Sequence, residues 1–342
     1  WTKTFGGTNS DEGNYVNQTL DGGFIITGET RSIGDSNGDI WLIKTDAYGN
    51  DEWIQSFGGS NRDIGYSVLQ TMDGGYILTG TTESFGSGGA DAWLIKTDVD
   101  GNEQWNRTFG SVDHDYGYSV QQTTDGGYII VGSTWISWSS FYDVLLIKTD
   151  DEGNEEWTQT FGGSEYEWGD FVLLTSDGGY IVEGSTGSYG NGSFDIWLIK
   201  TDGDGNLEWT QTFGGSEYDW GESMQQTIDG GFIITGWTSS FGNGTGGNVW
   251  LIKTDVNGNE EWSQTFGGDI SDVGFSVKQT IDGGYIVSGE TQSFGDDSTD
   301  LWLIKTDNNG NEIWNQTFGG SNYDIGKSVL QTDDGGFVIT GF

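Results

Sequence analysis

Residues 53–104 read WIQSFGGSNRDIGYSVLQTMDGGYILTGTTESFGSGGADAWLIKTDVDGNEQ, and at Trp105 the phrase begins again. Trp1, Trp53, Trp105, Trp157, Trp209, Trp262 and Trp314 stand 52, 52, 52, 52, 53 and 52 residues apart, so one unit recurs along the whole chain. The extra residue falls in the unit holding the glycine-rich run 241–248 (FGNGTGGN), where a loop absorbs an insertion. A fixed period of this length, with no helical periodicity, marks repeated all-β units.

Four strands are expected in the quoted unit: Trp53–Phe57, Tyr66–Thr71, Tyr76–Gly80 and Ala92–Thr97. The second and third of these form a hairpin through Asp73-Gly74-Gly75, because Asp-Gly supplies the positive φ angles that a tight turn requires. The apolar runs are continuous, as suits sheets covered on both faces. The expected fold is therefore an all-β, seven-bladed β-propeller of ~52-residue, four-stranded blades, forming one domain over residues 1–342. The Asp-Gly-Gly turn occurs seven times, at Asp21, Asp73, Asp125, Asp177, Asp229, Asp282 and Asp334, but Leu-Ile-Lys-Thr-Asp only six. The seventh blade is thus expected to be assembled from both termini and to lack its third strand, leaving an edge that another strand could complete.

The chain carries 12 Lys and Arg against 53 Asp and Glu, a formal charge of −41. Such a surface repels phosphate backbones and anionic membranes and attracts cations, so no nucleic-acid partner is expected. With 17 Trp, 14 Tyr and 18 Phe it is too aromatic to be a disordered acidic chain. Zero Cys excludes disulfides, thiolate metal sites and a Cys nucleophile. No apolar run approaches the roughly 20 residues of a membrane span, and no signal peptide is visible. An opening Trp1 without Met fits a processed chain or a fragment.

The hairpin ending in Tyr-Ile-x-x-Gly, followed by Asp-x-Trp and then a Trp opening the outer strand, resembles a kelch blade, although here Gly74-Gly75 precedes the second hairpin strand. The turn Asp46-x-x-Gly49-x-x-x-Trp53 is similar to that of quinoprotein (PQQ-type) propeller repeats. The Asp-Gly-Gly-Tyr-Ile and Trp-Leu-Ile-Lys-Thr-Asp marks together resemble the tandem-repeat propellers of secreted or surface proteins of archaea and bacteria. That resemblance implies an extracellular or cell-surface location and no particular chemistry.

Catalysis finds little to build on. His114 is the only histidine, in the loop 113–115 (DHD), and the acids recur in every unit instead of marking one place. No enzyme is expected; a glycan-active carboxylate pair is the least favoured reading. The turns 98–102 (DVDGN) and 202–206 (DGDGN) read as turns, because glycine comes fourth and a strand follows at once.

At the opposite end of each blade an acid recurs in one register: Asp11, Asp63, Asp115, Glu167, Asp219, Asp272 and Asp324. A second precedes the third strand at Asp39, Asp91, Asp143, Asp195 and Asp300, with Asn248 in the fifth full unit. Both registers fall on one face of the blades. Close like charges repel, so these acids either hold calcium, the one cofactor expected here, or cap their own loops by bonding backbone amides. One loop departs from the repeat: 135–142 (WISWSSFY) carries Trp135, Trp138, Phe141 and Tyr142, which either bind a glycan or protein or pack on themselves. Tyr166 with Trp168 and Tyr218 with Trp220 extend this aromatic supply. Glycosylation sequons begin at Asn17, Asn106, Asn191, Asn243 and Asn315.

The expected role is an extracellular structural or protein-interaction scaffold, such as a subunit of a cell-surface layer or filament. Its expected partners are further copies of itself, or other surface proteins and glycans. The alternative is a lectin-like module using the 135–142 loop.

Overall fold

The computed structural model describes every residue except 35, 138–140, 245, 296–297 and 333. The chain divides into two compact units, Trp1–Gly162 and Gly163–Phe342. The first contains three blades: β1 (Asp11–Gln18), β2 (Phe24–Thr30), β3 (Asp39–Thr45) and β4 (Asp51–Phe57); β5 (Asp63–Gln70), β6 (Tyr76–Thr82), β7 (Asp91–Thr97) and β8 (Glu103–Phe109); β9 (Asp115–Gln122), β10 (Tyr128–Ile136), β11 (Phe141–Thr149) and β12 (Glu155–Phe161). The second contains β13 (Glu167–Leu174), β14 (Tyr180–Thr186), β15 (Asp195–Thr201) and β16 (Leu207–Phe213); β17 (Asp219–Gln226), β18 (Phe232–Thr238), β19 (Asn248–Thr254) and β20 (Glu260–Phe266); β21 (Asp272–Gln279), β22 (Tyr285–Thr291), β23 (Asp300–Thr306) and β24 (Glu312–Phe318); and the pair β25 (Gly326–Gln331) and β26 (Phe337–Gly341). Every blade is an antiparallel meander in chain order, the strand arrangement of a β-propeller.

The Asp-Gly-Gly hairpins form for the reason their sequence implies. In the first, Gly22 takes φ +84 while Asp21 accepts hydrogen bonds from Thr19 Oγ1 at 2.5 Å and Gly23 N at 2.9 Å. A buried lysine then ties this turn to the third and fourth strands. Lys44 Nζ reaches Asp21 at 2.9 Å, Glu52 at 2.8 Å and the Thr45 carbonyl at 2.9 Å. Lys96, Lys148, Lys200, Lys253 and Lys305 repeat the contact with their own hairpin aspartates.

The core lies between blades. Ile25, Ile40 and Leu42 of the first blade meet Val68, Tyr76, Leu78 and Trp93 of the second, and Ile233, Val249 and Leu251 meet Val277, Tyr285 and Trp302 in the second unit. The periodic Trp belongs to this packing: the ring of Trp53 lies 5.6 Å from that of Tyr76 in the next blade. It also fills the space that a Cβ on Gly101 would need, coming within 2.7 Å of that position. The turn glycine is therefore required twice over, by its φ of +78 and by the indole above it.

Two expectations are corrected here. Among the described residues there are six four-stranded blades and one two-stranded sheet, β25–β26, not seven blades. Residues 1–5, expected as the outer strand of the seventh, belong to no strand. In complete blades the outer strand bonds only to the third, as β4 does to β3 through Ile40↔Phe57 to Thr45↔Asp51. Among the described residues β26 pairs with β25 alone, so an outer strand has no ladder to join. Trp1 instead keeps the side-chain role of its register, against Gly49 and 6.1 Å from Phe24.

The second correction concerns residues 135–142. Trp135 and Ile136 extend β10, pairing with Tyr142 and Phe141 of β11, where the other full blades turn after Thr30, Thr82, Thr186, Thr238 and Thr291. β-branched and aromatic residues replacing the usual Gly and Ser favour this extension of the ladder.

Candidate functional site

The first acid register sits at the start of the first strand and is used by its own loops. Asp11 accepts from Thr30 Oγ1 at 2.5 Å, Ser32 Oγ at 2.6 Å and Gly7 N at 2.9 Å. Asp219 repeats this with Thr238 Oγ1, Ser240 Oγ and Gly215 N, and Asp272 with Thr291 Oγ1, Ser293 Oγ and Gly268 N. Asp63 takes Gly59 N and Ser84 Oγ, Asp115 takes Ser111 N, Glu167 takes Gly163 N and Thr186 Oγ1, and Asp324 takes Gly320 N.

The second register meets the first across blade junctions. A Cβ on Gly58 would lie 2.0 Å from Asp39 Oδ1 and 2.9 Å from Asp63 Oδ2, so that glycine fits between two carboxylates. Gly110 stands likewise between Asp91 and Asp115, Gly214 between Asp195 and Asp219, and Gly319 between Asp300 and Asp324. At Gly267 the pair is Asn248 and Asp272. Asp143 lies opposite Thr134 at its strand position. Burial pushes Asp195 up to about 6, and Asp219 adds to the shift despite the opposing bond from Asn191 N; burial and Asp115 raise Asp91 in the same way. Among the described residues no three His, Cys, Asp or Glu converge into a set that could hold a metal ion.

Aromatic side chains gather at these same strand ends. In the first unit Trp135 packs edge-on against Tyr142 with centroids 4.9 Å apart, and Tyr142 lies 5.8 Å from Tyr116. Tyr116 stacks on Tyr118 at 5.9 Å and on His114 at 6.3 Å. Phe141 is half-buried beside them in β11, while Trp138 lies outside the described residues. In the second unit Tyr166 stacks on Trp168 at 5.4 Å, and Trp168 meets Trp220 at 5.0 Å and Phe194 at 5.6 Å. Phe194 stacks on Tyr218, which is 48% exposed. The rings support one another yet remain half-exposed, an arrangement suited to contact with a second molecule.

The remaining sequence-predicted positions are dispersed. Asn17 lies in β1, and Asn191 and Asn243 are exposed in loops. Asn106 and Asn315 accept from Trp93 Nε1 and Trp302 Nε1 at 3.2 Å, and each donates to a neighbouring Glu. His114 Nδ1 accepts from Ala90 N at 3.2 Å. The Asp-x-x-Gly turns close on themselves, with Asp98 holding Asn102 through both N and Nδ2.

A group that sequence reading missed arises from the bulges. Each first strand skips one residue in its ladder, and the skipped residues are Asn14, Tyr66, Tyr118, Asp170, Glu222, Phe275 and Lys327. A bulge re-aims its side chain, and here the bulge residue changes along the chain, with only tyrosine occurring twice. In the second unit Glu183, opposite Phe171 beside the Asp170 bulge, is fully buried, and among the described residues neither carboxylate oxygen has a hydrogen-bond partner. Its Oε1 lies 1.6 Å from where a Cβ on Gly221 would stand, next to the Glu222 bulge. Asp170 Oδ2 is likewise buried without a partner among the described residues. Burial, then the neighbouring carboxylates, hold Asp170 and Glu183 well above the usual carboxylate range. Burial pushes Glu222 up to about 7, with Lys327 opposing and Glu290 adding. The signal lay in the alignment of repeats, where position 183 is Thr, Val or Ser in the other units.

No protein-family model matches the chain. A curated relative, the regulatory protein FlaEY of Caulobacter vibrioides, is 27% identical over 198 residues, half of this chain; the match spans 20% of that protein's length. Among solved structures, the Neurospora crassa Pan2 WD40 domain superposes with a TM-score of 0.59 at 10% identity, covering 96% of this chain and 85% of that one. Puromycin hydrolase gives 0.56 at 13%, covering 94% and 48%. Chaetomium thermophilum Sqt1 bound to the N-terminus of ribosomal protein L10 gives 0.51 at 10%, covering 92% and 77%. These likenesses show the β-propeller fold; the proteins sharing it include an enzyme as well as a protein-binding module.

Proposed function

We propose that this chain is a protein-interaction scaffold presented outside the cell, engaging partners through the aromatic ends of its blades. The observation that carries this reading is the pair of half-exposed aromatic clusters, Tyr116, Tyr118, Trp135 and Tyr142 in one unit and Tyr166, Trp168, Phe194, Tyr218 and Trp220 in the other. Large rings held by their neighbours lose little entropy on binding and remove much apolar area from water, which is why Trp and Tyr dominate interface energetics. The extracellular location draws its support from the resemblance of the repeat to surface proteins. Partners include further copies of the chain. The flat stacked pairs His114–Tyr116 and Tyr166–Trp168 favour sugar rings as the second class of ligand.

Native mass measurement and electron microscopy across a concentration series, on wild type and on Trp168→Ala/Trp220→Ala, test this. Concentration-dependent assemblies that the double variant loses are the expected result. Wild-type protein that stays monomeric throughout sinks self-assembly, and a glycan-array signal lost in the same variant transfers the face to sugars.

A further inference from the structure

We propose that Asp170, Glu183 and Glu222 form a binding site for a guanidinium cation. The site is built by the fold, not by chance surface crowding. Two bulges, one in β13 and one in β17, turn Asp170 and Glu222 out of their ladders. Glu183 of β14 stands opposite Phe171, next to the first bulge, and its Oε1 occupies the place that a Cβ on Gly221, next to the second bulge, would take. Glu183 forms a dry floor at 0% exposure, while Asp170 and Glu222 are only partly covered, which leaves the site open on their side.

A buried carboxylate without a donor is costly unless a cation or a proton joins it. Asp170 Oδ2 and both oxygens of Glu183 have none among the described residues. Among the described residues Lys327 and Glu290 act on Glu222, Lys327 lies 3.6 Å over the Phe275 ring, and Lys278 lies 5.9 Å over that of Phe171, which neighbours Asp170. No metal-holding set of three is present among the described residues, which disfavours a compact divalent ion. The chain's other unit shows which cation suits a buried acid in this fold. Glu29, 3% exposed, is met by Arg31 Nε at 3.0 Å and by Arg62 through Nε at 3.0 Å and Nη2 at 2.6 Å. A planar guanidinium offers paired donors to carboxylate oxygens, and it sheds water more readily than ammonium does. The inference stands apart from the aromatic face: neither requires the other.

The guanidinium can come from a free small molecule or from an arginine of a partner protein. Titration calorimetry of the full chain at pH 8 and fixed ionic strength, with agmatine and with an acetylated, amidated Gly-Arg-Gly peptide, separates the two by which probe binds more tightly. Saturable one-site binding is expected, weakened at least tenfold by Glu183→Gln and by Asp170→Asn and unchanged by Asp51→Asn, an exposed acid that controls for the overall negative charge. Affinity should also fall between pH 8 and pH 6 as the cluster takes up protons. Absence of saturable binding, equal loss in Asp51→Asn, or equal affinity for putrescine or calcium would overturn the proposal. Neither variant removes packing volume, and circular dichroism confirms the fold before titration.

Discussion

Glu29 and Glu183 are both buried carboxylates on the second strand of a blade, and the fold treats them oppositely. Glu29 is surrounded by Arg31 and Arg62; although burial alone would raise its pKa, those partners hold it below the ordinary glutamate value. Burial raises the pKa of Glu183, and its acid neighbours Asp170 and Glu222 raise it further. The backbone ladders around the two are alike, so the blade does not dictate how a buried charge is resolved. That depends on what stands at the bulges and junction loops, the few positions where the repeat departs from itself.

The largest expected effect comes from making Glu29 resemble Glu183. Arg31→Ala/Arg62→Ala strips both cations from a buried acid and should cost about 3 kcal/mol of stability at neutral pH, read as a lower denaturation midpoint. Arg62→Ala alone should cost less, because Arg31 stays within 3.0 Å. An unchanged double variant would mean that water solvates Glu29 well enough to make the pairing irrelevant.

Making Glu222 and Glu183 neutral sharpens the comparison from the other side. A carboxyl whose folded pKa is raised stabilises the fold below its unfolded value, 4.5 for Glu222, and loses that contribution as pH rises through about 7. Wild-type melting temperature should therefore decline between pH 5 and pH 8. Glu222→Gln or Glu183→Gln should flatten that decline and raise stability at pH 8, on the order of 2 kcal/mol. The hairpin aspartates have the opposite sign. Burial opposes the shift at Asp21, but Thr19, Lys44 and Gly23 lower it to about 2, so that contribution disappears only as pH falls from 3.8 toward 2. A thermal profile that falls only at low pH would show Asp170, Glu183 and Glu222 to be fully hydrated.

The smallest effect expected is that of a chelator. Calcium is the ligand that the sequence leads one to expect at the acid pairs such as Asp39 and Asp63, but loop amides and hydroxyls already bond the acids that open the first strands, Asp63, Asp219 and Asp272 among them. Chelation should leave the melting temperature unchanged; a clear drop would show that calcium replaces those internal donors.

Much of this protein is legible in its sequence. The Trp period, the Asp-Gly-Gly turns and the continuous apolar runs predict all-β blades of four strands, because turn chemistry and two-sided burial are local properties written into each unit. The acid registers and aromatic supply were visible too, and both lie where the blade turns place them. The acids' pairing was not, since Asp39 and Asp63 belong to adjacent blades and meet only across Gly58. Nor was the hairpin extension at Trp135 and Tyr142, where side chains of strong β preference lengthen a ladder past the repeat's usual turn.

The sequence by itself determined the repeat unit, its strands and its hairpins, because each rests on interactions within a few tens of residues. Tertiary structure alone decided that the seventh sheet has two strands, since an outer strand needs a third to pair with. It also decided that Asp170, Glu183 and Glu222 come together. Bulges shift a side chain out of the period of two, and only the packing of one blade on the next shows where the displaced side chain lands.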